Sequence, residues 1–439
     1  MIIKRDKFLA ELIQRQGNGM IKVITGLRRC GKSFLLFKLF VDYLKENKVD
    51  ESQIIKFSFD DDNYIDLLEK YFPDEPTRIY SNRTKGIFTV NSKKFRAYIN
   101  ELTGNDKKYY ILLDEIQILD NFSGTLNGFL HHDNFDVYVT GSNSKMLSTD
   151  IPTEFRGRGD QINLYPLTFK EYFDAFGEDF RTTYNDYTYY GGMPHLFKLS
   201  SDKMKSDYLK NLFKEVYIKD IVDRNGVNNK DSLEKLIEIL ASSIGSYTTA
   251  RKLENAFKSN LGISYSHNTI KNHINYFVDS FLLSEAKRYD VKGKSYISAN
   301  SKYFFTDLGL RNALLNFRQQ EQTHLMENLI YNELLTRGYN VDIGVVEINE
   351  KNKNNNSIRK QLEIDFVCNS GHKKYYIQSA YAIPDEEKLI QEKRPLINAG
   401  DSFKKIIIVN DDIRTWTTEE GILIMSIKTF LLNDDSLLL

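Results

Sequence analysis

Cysteine is almost absent from the 439-residue sequence, which contains only Cys30 and Cys368. Two thiols so far apart in the chain build neither a disulfide framework nor the paired spacing of a zinc site. Uninterrupted apolar runs are also short, and none approaches the roughly 18 residues of a membrane-spanning helix. The N-terminal residues carry scattered charges instead of the apolar core of a signal peptide. These absences predict a cytoplasmic protein without a membrane segment.

Net charge is absent as well, because 60 lysines and arginines balance 60 aspartates and glutamates. This balance excludes a uniformly basic nucleic-acid binder, but it leaves room for a local basic surface. Residues 1–200 carry 27 basic and 28 acidic groups, residues 201–300 carry 16 and 12, and residues 301–439 carry 17 and 20. The middle of the chain is therefore its basic part.

At about 150 residues per domain, the length predicts two to three domains.

Short apolar runs alternate with helical stretches in the first part of the chain. Five runs have the length and composition of buried strands: Met20–Thr25, Ile54–Phe59, Tyr109–Leu113, Val137–Thr140 and Gln161–Leu164. Strands that alternate with helices indicate an α/β fold with a mostly parallel sheet. We therefore expect an α/β domain over residues 1–185.

The rest of the chain is predicted to hold three further parts. Residues 186–228 have the pattern of a helical linker. Residues 229–315 show three helical stretches and then two strands with a turn at Lys292–Lys294, which is the element order of a winged helix. Residues 316–439 begin with a helix at Leu325–Arg337 and continue with four strands, which predicts a second α/β domain.

A glycine-rich motif follows the first predicted strand. Residues 26–33, GLRRCGKS, match G-x-x-x-x-G-K-[ST], with a strand before them and an amphipathic helix after them. Gly26 and Gly31 let backbone N–H groups face phosphates, Lys32 reaches the β- and γ-phosphates, and Ser33 binds Mg²⁺. The predicted nucleotide-binding residues are Gly26, Leu27, Arg28, Arg29, Cys30, Gly31, Lys32, Ser33 and Phe34.

Two carboxylates follow the third predicted strand in the Walker B pattern. Asp114 would hold Mg²⁺ together with Ser33, and Glu115 would polarise the attacking water.

Polar residues further along are candidates for sensing the nucleotide. Asn143, after the next strand, could contact the γ-phosphate, although a turn asparagine is the alternative. Arg156 and Arg158, in the segment FRGRG, could act as arginine fingers on a neighbouring subunit. A solvated basic loop is the other interpretation of these two residues.

Taken in order, GLRRCGKSFLL, YYILLDEIQ, VYVTGSNSKML and EFRGRG resemble the motifs of bacterial and archaeal AAA-type ATPases that carry a dedicated C-terminal domain. The resemblance covers nearly the whole chain. It implies a P-loop fold with an additional strand, ATP and Mg²⁺ as ligands, and arginine fingers between the subunits of a homo-oligomer. The companion domain of these families is of poorly characterised function, so the resemblance implies an ATPase and no further role.

The basic middle segment carries a candidate contact with double-stranded DNA. The helix predicted over Ser266–Leu283 places Ile270 and Ile274 on an apolar face. Its opposite face would present donors to a DNA groove from Lys271, Asn272, His273 and Asn275. The proposed wing adds phosphate-binding candidates at Lys287, Arg288, Lys292 and Lys294. Winged helices also mediate protein contacts, so a protein partner is the alternative.

The final block resembles restriction-endonuclease-like nucleases in the order of its acidic residues. Glu327 lies on the predicted helix, and Glu363 and Asp365 lie on a strand. The resemblance fails at the lysine that would organise the attacking water, because Gln378 and Ala380 occupy the [DE]-x-K positions. Lys373 or Lys374 would have to replace that lysine, so we expect a nuclease-like scaffold without nuclease activity.

These motifs support two hypotheses of different classes. The favoured one is an ATPase whose cycle acts on DNA or on a DNA-bound partner. The alternative is a nucleotide-gated regulatory switch or oligomerisation module, with slow hydrolysis and protein partners.

Overall fold

The computed structural model describes residues 3–80, 88–104, 107–141, 157–351 and 357–439. The chain forms two compact units. The first comprises Met1–Tyr165 with Asp279–Phe281, and the second comprises Pro166–Val278 with Leu282–Leu439. The first unit ends before residue 185, where the sequence predicted the end of the α/β domain. The other expected domain limits, at residues 228 and 315, fall inside the second unit.

The first unit is built on a five-stranded parallel sheet, as the sequence predicted. Its strands are β1 (Ile21–Gly26), β2 (Ile54–Ser58), β5 (Tyr109–Asp114), β6 (Phe135–Thr140) and β7 (Gly159–Leu164). β1 and β5 are buried along their whole length, as expected for strands covered on both faces. Their order in the sheet is β2-β5-β6-β1-β7, so β6 lies between the strand before the P-loop and the strand that ends at Asp114. This arrangement agrees with the expected additional strand.

Helices and a small hairpin complete the first unit. The helices are α1 (Asp6–Gln14), α2 (Lys32–Phe34, a π-helical segment Leu35–Phe40 and Val41–Glu46), α3 (Asp62–Asp66), α4 (Ser92–Leu102) and α5 (Phe122–Phe129). Short 3₁₀ turns span Glu51–Gln53 and Ile116–Ile118, and β3 (Arg78–Tyr80) pairs with β4 (Phe88–Val90). Phe57 of β2, Phe59 directly after that strand and Phe95 of α4 pack together in the core of this unit.

The second unit contains helices both before and between its strands. They are α6 (Phe169–Phe176), α7 (Phe180–Tyr190), α8 (Asp202–Asn211, a π-helical segment Leu212–Ile218 and Lys219–Asn225), α9 (Lys230–Ser242), α10 (Ala250–Leu261), α11 (His267–Asp279), α12 (Leu308–Leu314), α13 (Gln322–Thr336), α14 (Glu386–Asn398) and α15 (Ile427–Leu432). Residues 194–198 and 436–438 form 3₁₀ turns.

An eight-stranded mixed sheet forms the rest of the second unit. Its strands are β8 (Leu283–Asp290), β9 (Ser295–Phe305), β10 (Asn340–Lys351), β11 (Ser357–Ser370), β12 (Lys373–Ala380), β13 (Lys404–Val409), β14 (Trp416–Thr417) and β15 (Ile422–Ser426). Their order is β14-β15-β13-β12-β11-β10-β8-β9. The β8–β9 hairpin, expected as a separate wing, is thus part of the same sheet as the C-terminal strands, because β8 pairs in parallel with β10.

Candidate functional site

The glycine-rich motif forms the loop between β1 and α2. Gly26 has a φ of +142° and Gly31 a φ of +106°, backbone conformations that residues with a side chain rarely adopt. A Cβ at Gly26 would lie 2.0 Å from the carbonyl oxygen of Leu164 on β7, so glycine is required there. The loop therefore curls into the N-terminus of α2, as a phosphate cradle requires.

Lys32 begins α2 and is buried, with 4% of its surface exposed. Its Nζ donates hydrogen bonds to the carbonyl oxygens of Gly26 at 3.0 Å and Leu27 at 3.1 Å. The ammonium group thus lies within the loop and is held by neutral acceptors. A polyphosphate would offer this ammonium charged acceptors, which make stronger hydrogen bonds.

The remaining P-loop side chains divide into packed and exposed ones. Leu27 and Cys30 are buried, whereas Arg29, Ser33 and Phe34 are exposed. Burial raises the pKa of the Cys30 thiol, which lies 3.5 Å from the carbonyl oxygen of Leu164. Cys30 therefore fills space beneath the loop, and a contribution to nucleotide binding would come from its backbone N–H group.

Asp114 and Thr140 end the neighbouring strands β5 and β6. The Thr140 hydroxyl donates a hydrogen bond to the Asp114 carboxylate and accepts one from the backbone N–H of Glu115 at 3.1 Å. Ser33 is hydrogen-bonded to the same carboxylate. Burial raises the pKa of Asp114, and the Thr140 and Ser33 hydroxyls act against that rise. The two residues predicted to hold Mg²⁺, Ser33 and Asp114, therefore meet at the carboxyl ends of the strands.

Glu115 adopts a left-handed backbone conformation with a φ of +52°, which is uncommon for a residue with a side chain. Its carboxylate accepts a hydrogen bond from the Gln117 amide. The predicted water-activating group is thus held by a neighbouring side chain.

Arg5 is a component of this site that the sequence did not reveal. Its guanidinium is buried and donates hydrogen bonds to the carbonyl oxygen of Cys30 at 3.2 Å and to that of Tyr165 at 2.8 Å. It therefore joins the N-terminal segment, the P-loop and the residue that follows β7. No motif could have identified it, because its partners are backbone atoms far away in the sequence.

The other predicted catalytic residues are placed only in part. Asn143 and Arg156 lie outside the described residues. Arg158 has an exposed side chain, and its backbone carbonyl accepts a hydrogen bond from Ile21 at 2.9 Å. Its role as an arginine finger stays a prediction.

The helix predicted to face DNA is present as α11. Lys271, Asn272 and Asn275 are exposed on it, in agreement with the predicted polar face. The placement of His273 on that face was wrong, because this residue is buried and hydrogen-bonded to the Tyr265 hydroxyl. The physical reason is helical spacing, since position 273 follows the buried Ile270 by three residues.

The basic residues of the β8–β9 hairpin are not all available to a phosphate backbone. Arg288 donates to the Gln361 side chain at 2.8 Å, and Lys292 Nζ donates to the Glu347 carbonyl oxygen at 3.0 Å. Both partners belong to the adjoining strands β10 and β11 of the sheet. Lys287 and Lys294 are exposed.

The three acidic residues of the nuclease-like pattern are brought together in the second unit. Glu327 lies on α13, and Glu363 and Asp365 lie on β11. The lysine beside them is Lys302 of β9, which contacts Glu327 and Glu363. The lysine that contacts these acids therefore comes from the hairpin, and not from Lys373 or Lys374, the two candidates to replace the missing lysine. Among the described residues, no group of three or more histidine, cysteine or acidic side chains has the arrangement of a metal site.

Comparisons with known proteins identify the type of domain in the first part of the chain. A family model for an AAA domain matches residues 18–173, and the model of a domain of unknown function (DUF8612) matches residues 181–321. An uncharacterized protein of Haemophilus influenzae is 30% identical over 413 residues, which cover 93% of each chain. The uncharacterized protein MJ1544 of Methanocaldococcus jannaschii is 26% identical over 381 residues, 84% of this chain and 76% of that one.

Among solved structures, the Walker-type ATPase PABY2304 of Pyrococcus abyssi is 12% identical and has a TM-score of 0.46, covering 72% of this chain and 96% of that chain. In the described part of the chain, no helix combines the length and apolarity needed to cross a membrane.

The fold of the first unit and the family model define the class of this part of the chain, which is a P-loop domain of the AAA type. The chain belongs to the same family as the Haemophilus influenzae protein.

Proposed function

We propose that this protein binds ATP with Mg²⁺ in the first unit and hydrolyses the nucleotide. The observation that carries this proposal is the convergence of Ser33, Asp114 and Thr140 beside a P-loop whose lysine is held by neutral carbonyl oxygens. The oxygen donors of Ser33 and Asp114 fit a hard divalent cation.

Each residue has a defined part in this proposal. The P-loop N–H groups and Lys32 bind the phosphates, which displaces the ammonium from the loop carbonyls. Ser33 and Asp114 hold Mg²⁺, which would neutralise charge that develops on the phosphate oxygens. Thr140 orients the Asp114 carboxylate. Glu115 polarises the attacking water, and for this its carboxylate must leave Gln117.

The test is steady-state ATP turnover by the wild type, Lys32→Ala and Glu115→Gln. We expect turnover to fall by about a hundredfold or more in both variants, because each loses a group that stabilises the transition state. Lys38→Ala is the matched control, since Lys38 lies on the same helix and pairs on the surface with Asp42 at 3.0 Å. Turnover that survives both site substitutions would contradict the proposal.

The hydrogen bond between Gln117 and Glu115 favours a second candidate, a nucleotide-gated switch with slow hydrolysis and protein partners. In that case Gln117→Ala should raise turnover, and a non-hydrolysable ATP analogue should change the size of the protein in light scattering. Strong stimulation of the wild-type ATPase by DNA would count against the switch.

The proposal includes an arginine finger supplied by Arg156 or Arg158 and a sensor role for Asn143. A finger that acts between subunits of a homo-oligomer predicts recovery of activity when inactive Lys32→Ala and Arg158→Ala proteins are mixed. The same mixing with Arg156→Ala identifies which arginine acts. If neither mixture has a higher ATPase activity than its two proteins measured separately and added together, the finger does not act between subunits.

We further propose that α10 and α11 contact double-stranded DNA. The exposed residues that support this contact are Arg251, Lys252, Lys258, Lys271, Asn272 and Asn275. The variant Lys271→Ala/Asn275→Ala should bind a DNA duplex more weakly than Lys235→Ala, whose lysine pairs with Glu238 on α9. Affinity should also fall steeply with salt, because phosphate contacts release counterions. Equal affinities for the two variants would exclude α11 from the contact.

A further inference from the structure

The second unit contains a buried cluster of charged side chains that nucleotide binding does not use. It consists of Lys302 from β9, Glu327 from α13, and Glu363 and Asp365 from β11, and we name it the Lys302 cluster. The Lys302 and Glu327 side chains are 5% and 9% exposed. The cluster thus joins a hairpin, a helix and a central strand of the same unit.

Lys302 is the cation of this cluster. Its Nζ lies 2.8 Å from Glu327 Oε1 and 2.6 Å from Glu363 Oε1. Burial alone would lower the pKa of Lys302, but the charges of Glu327, Glu363 and Asp365 together raise it. The neighbouring carboxylates therefore favour the protonated, charged form of this lysine.

An ammonium and a divalent metal compete for the same oxygen atoms here. Mg²⁺ binds carboxylate oxygens at about 2.0–2.1 Å in near-octahedral geometry. Two of the oxygens that such an ion would need are already hydrogen-bonded to Lys302. The lysine position of the nuclease pattern is filled by the buried Ala380, so the charge at this site comes from a different strand.

We propose that Lys302 is a built-in cation that takes the place of a divalent metal among Glu327, Glu363 and Asp365. The ion pairs of the cluster then hold the β8–β9 hairpin against α13 and β11 without a metal ion. Removal of the ammonium converts the same carboxylates into a site for a divalent cation.

The surroundings of the cluster support this conversion. Three carboxylates face one lysine, and burial together with the neighbouring acids raises the pKa values of Glu327 and Asp365. Without Lys302, the excess negative charge would have to be neutralised by protons or by a cation. A further oxygen is at hand on β12, because the Ser379 N–H donates to the Asp365 carboxylate at 2.7 Å and the Ser379 Oγ is buried without a hydrogen-bond partner.

The experiment measures Mn²⁺ binding by electron paramagnetic resonance on the nucleotide-free full chain. We compare the wild type, Lys302→Ala, Lys302→Ala/Asp365→Asn and the control Lys360→Ala, which removes an exposed lysine of β11. We expect Lys302→Ala to bind one more Mn²⁺ than the wild type. The control should match the wild type, and the double variant should lose the additional ion. A folded Lys302→Ala protein without the additional ion overturns the proposal.

Two measurements on folded protein apply even if Lys302→Ala does not fold. The proposal expects the wild type to melt at the same temperature in EDTA and in Mn²⁺, and it expects Asp365→Asn to leave Mn²⁺ binding unchanged. Loss of a bound Mn²⁺ in Asp365→Asn overturns it, as does Mn²⁺-dependent DNA cleavage by the wild type that Asp365→Asn abolishes. Neither result depends on ATP turnover.

Discussion

Thr140→Val tests whether one hydroxyl at the end of β6 positions both carboxylates of the nucleotide site. Thr140 is fully buried, and valine has nearly the same shape. The substitution therefore removes the hydrogen bond to Asp114 and the acceptor of the Glu115 N–H, and it leaves the packing in place. No water can replace the lost hydroxyl at this buried position without a rearrangement of the strand ends.

The expected loss follows from these two contacts. A hydrogen bond to a charged group contributes about 1.5–3 kcal/mol, and an unsatisfied buried N–H costs about 1–3 kcal/mol. The added methyl group of valine offsets part of this loss, so the free energy of unfolding should fall by about 2–4 kcal/mol. The pKa of Asp114 should rise further, because Thr140 opposes the rise caused by burial. The carboxylate would then hold Mg²⁺ less tightly near neutral pH.

Urea unfolding and ATP turnover at several Mg²⁺ concentrations measure the two effects. Loss of a residue that orients a metal ligand typically costs about 10–100-fold in activity or metal affinity. Thr140→Ser keeps the hydroxyl and should recover most of the turnover. The reasoning is refuted if Thr140→Val turns over ATP like the wild type, or if serine and valine reduce turnover equally.

Two further predictions concern buried charges. Lys22→Met should lower the free energy of unfolding by about 3–5 kcal/mol, because it leaves the buried Asp136 without its main partner. Lys22→Met/Asp136→Leu should recover much of that loss, and a double variant as unstable as the single one would contradict this. Burial raises the pKa of Asp307 to about 6, so its folded state binds a proton more tightly than the unfolded chain. The contribution of Asp307 to the free energy of unfolding is therefore complete below about pH 4. As the pH rises through 6, up to about 3 kcal/mol of this contribution is lost. Asp307→Asn should abolish this slope in denaturant unfolding measured from pH 4 to 8, and an unchanged slope would refute the assignment.

The geometry of the proposed nucleotide site could be predicted because its residues belong to short motifs that are recognisable in the sequence. Gly26 to Ser33 are consecutive residues, and the two glycines of the motif take two of the three positive φ angles in this segment, the third being that of Arg29. Asp114 follows a run of apolar residues that identifies its strand. The sequence therefore indicated both the sheet and the edge at which these residues meet.

Arg5 and Lys302 could not be found in this way. Arg5 acts on backbone carbonyl groups, which leave no pattern in the sequence. Lys302 joins Glu363 across 61 residues of chain, and the pairing of β8 with β10 decides that they meet. The same pairing explains why the basic hairpin, expected as a free wing, directs Arg288 and Lys292 toward neighbouring strands.

The two buried lysines of the proposed sites differ in how readily a ligand could replace their partners. Lys32 is bonded to two neutral carbonyl oxygens, and a triphosphate offers the same ammonium stronger, charged acceptors. The exchange is therefore favourable, and the P-loop can open to its ligand. Lys302 is bonded to two carboxylates in a buried cluster, and its removal would leave their charges uncompensated at a cost of several kcal/mol. This difference makes the first site suitable for repeated binding and release, and it makes the second a fixed element of the fold.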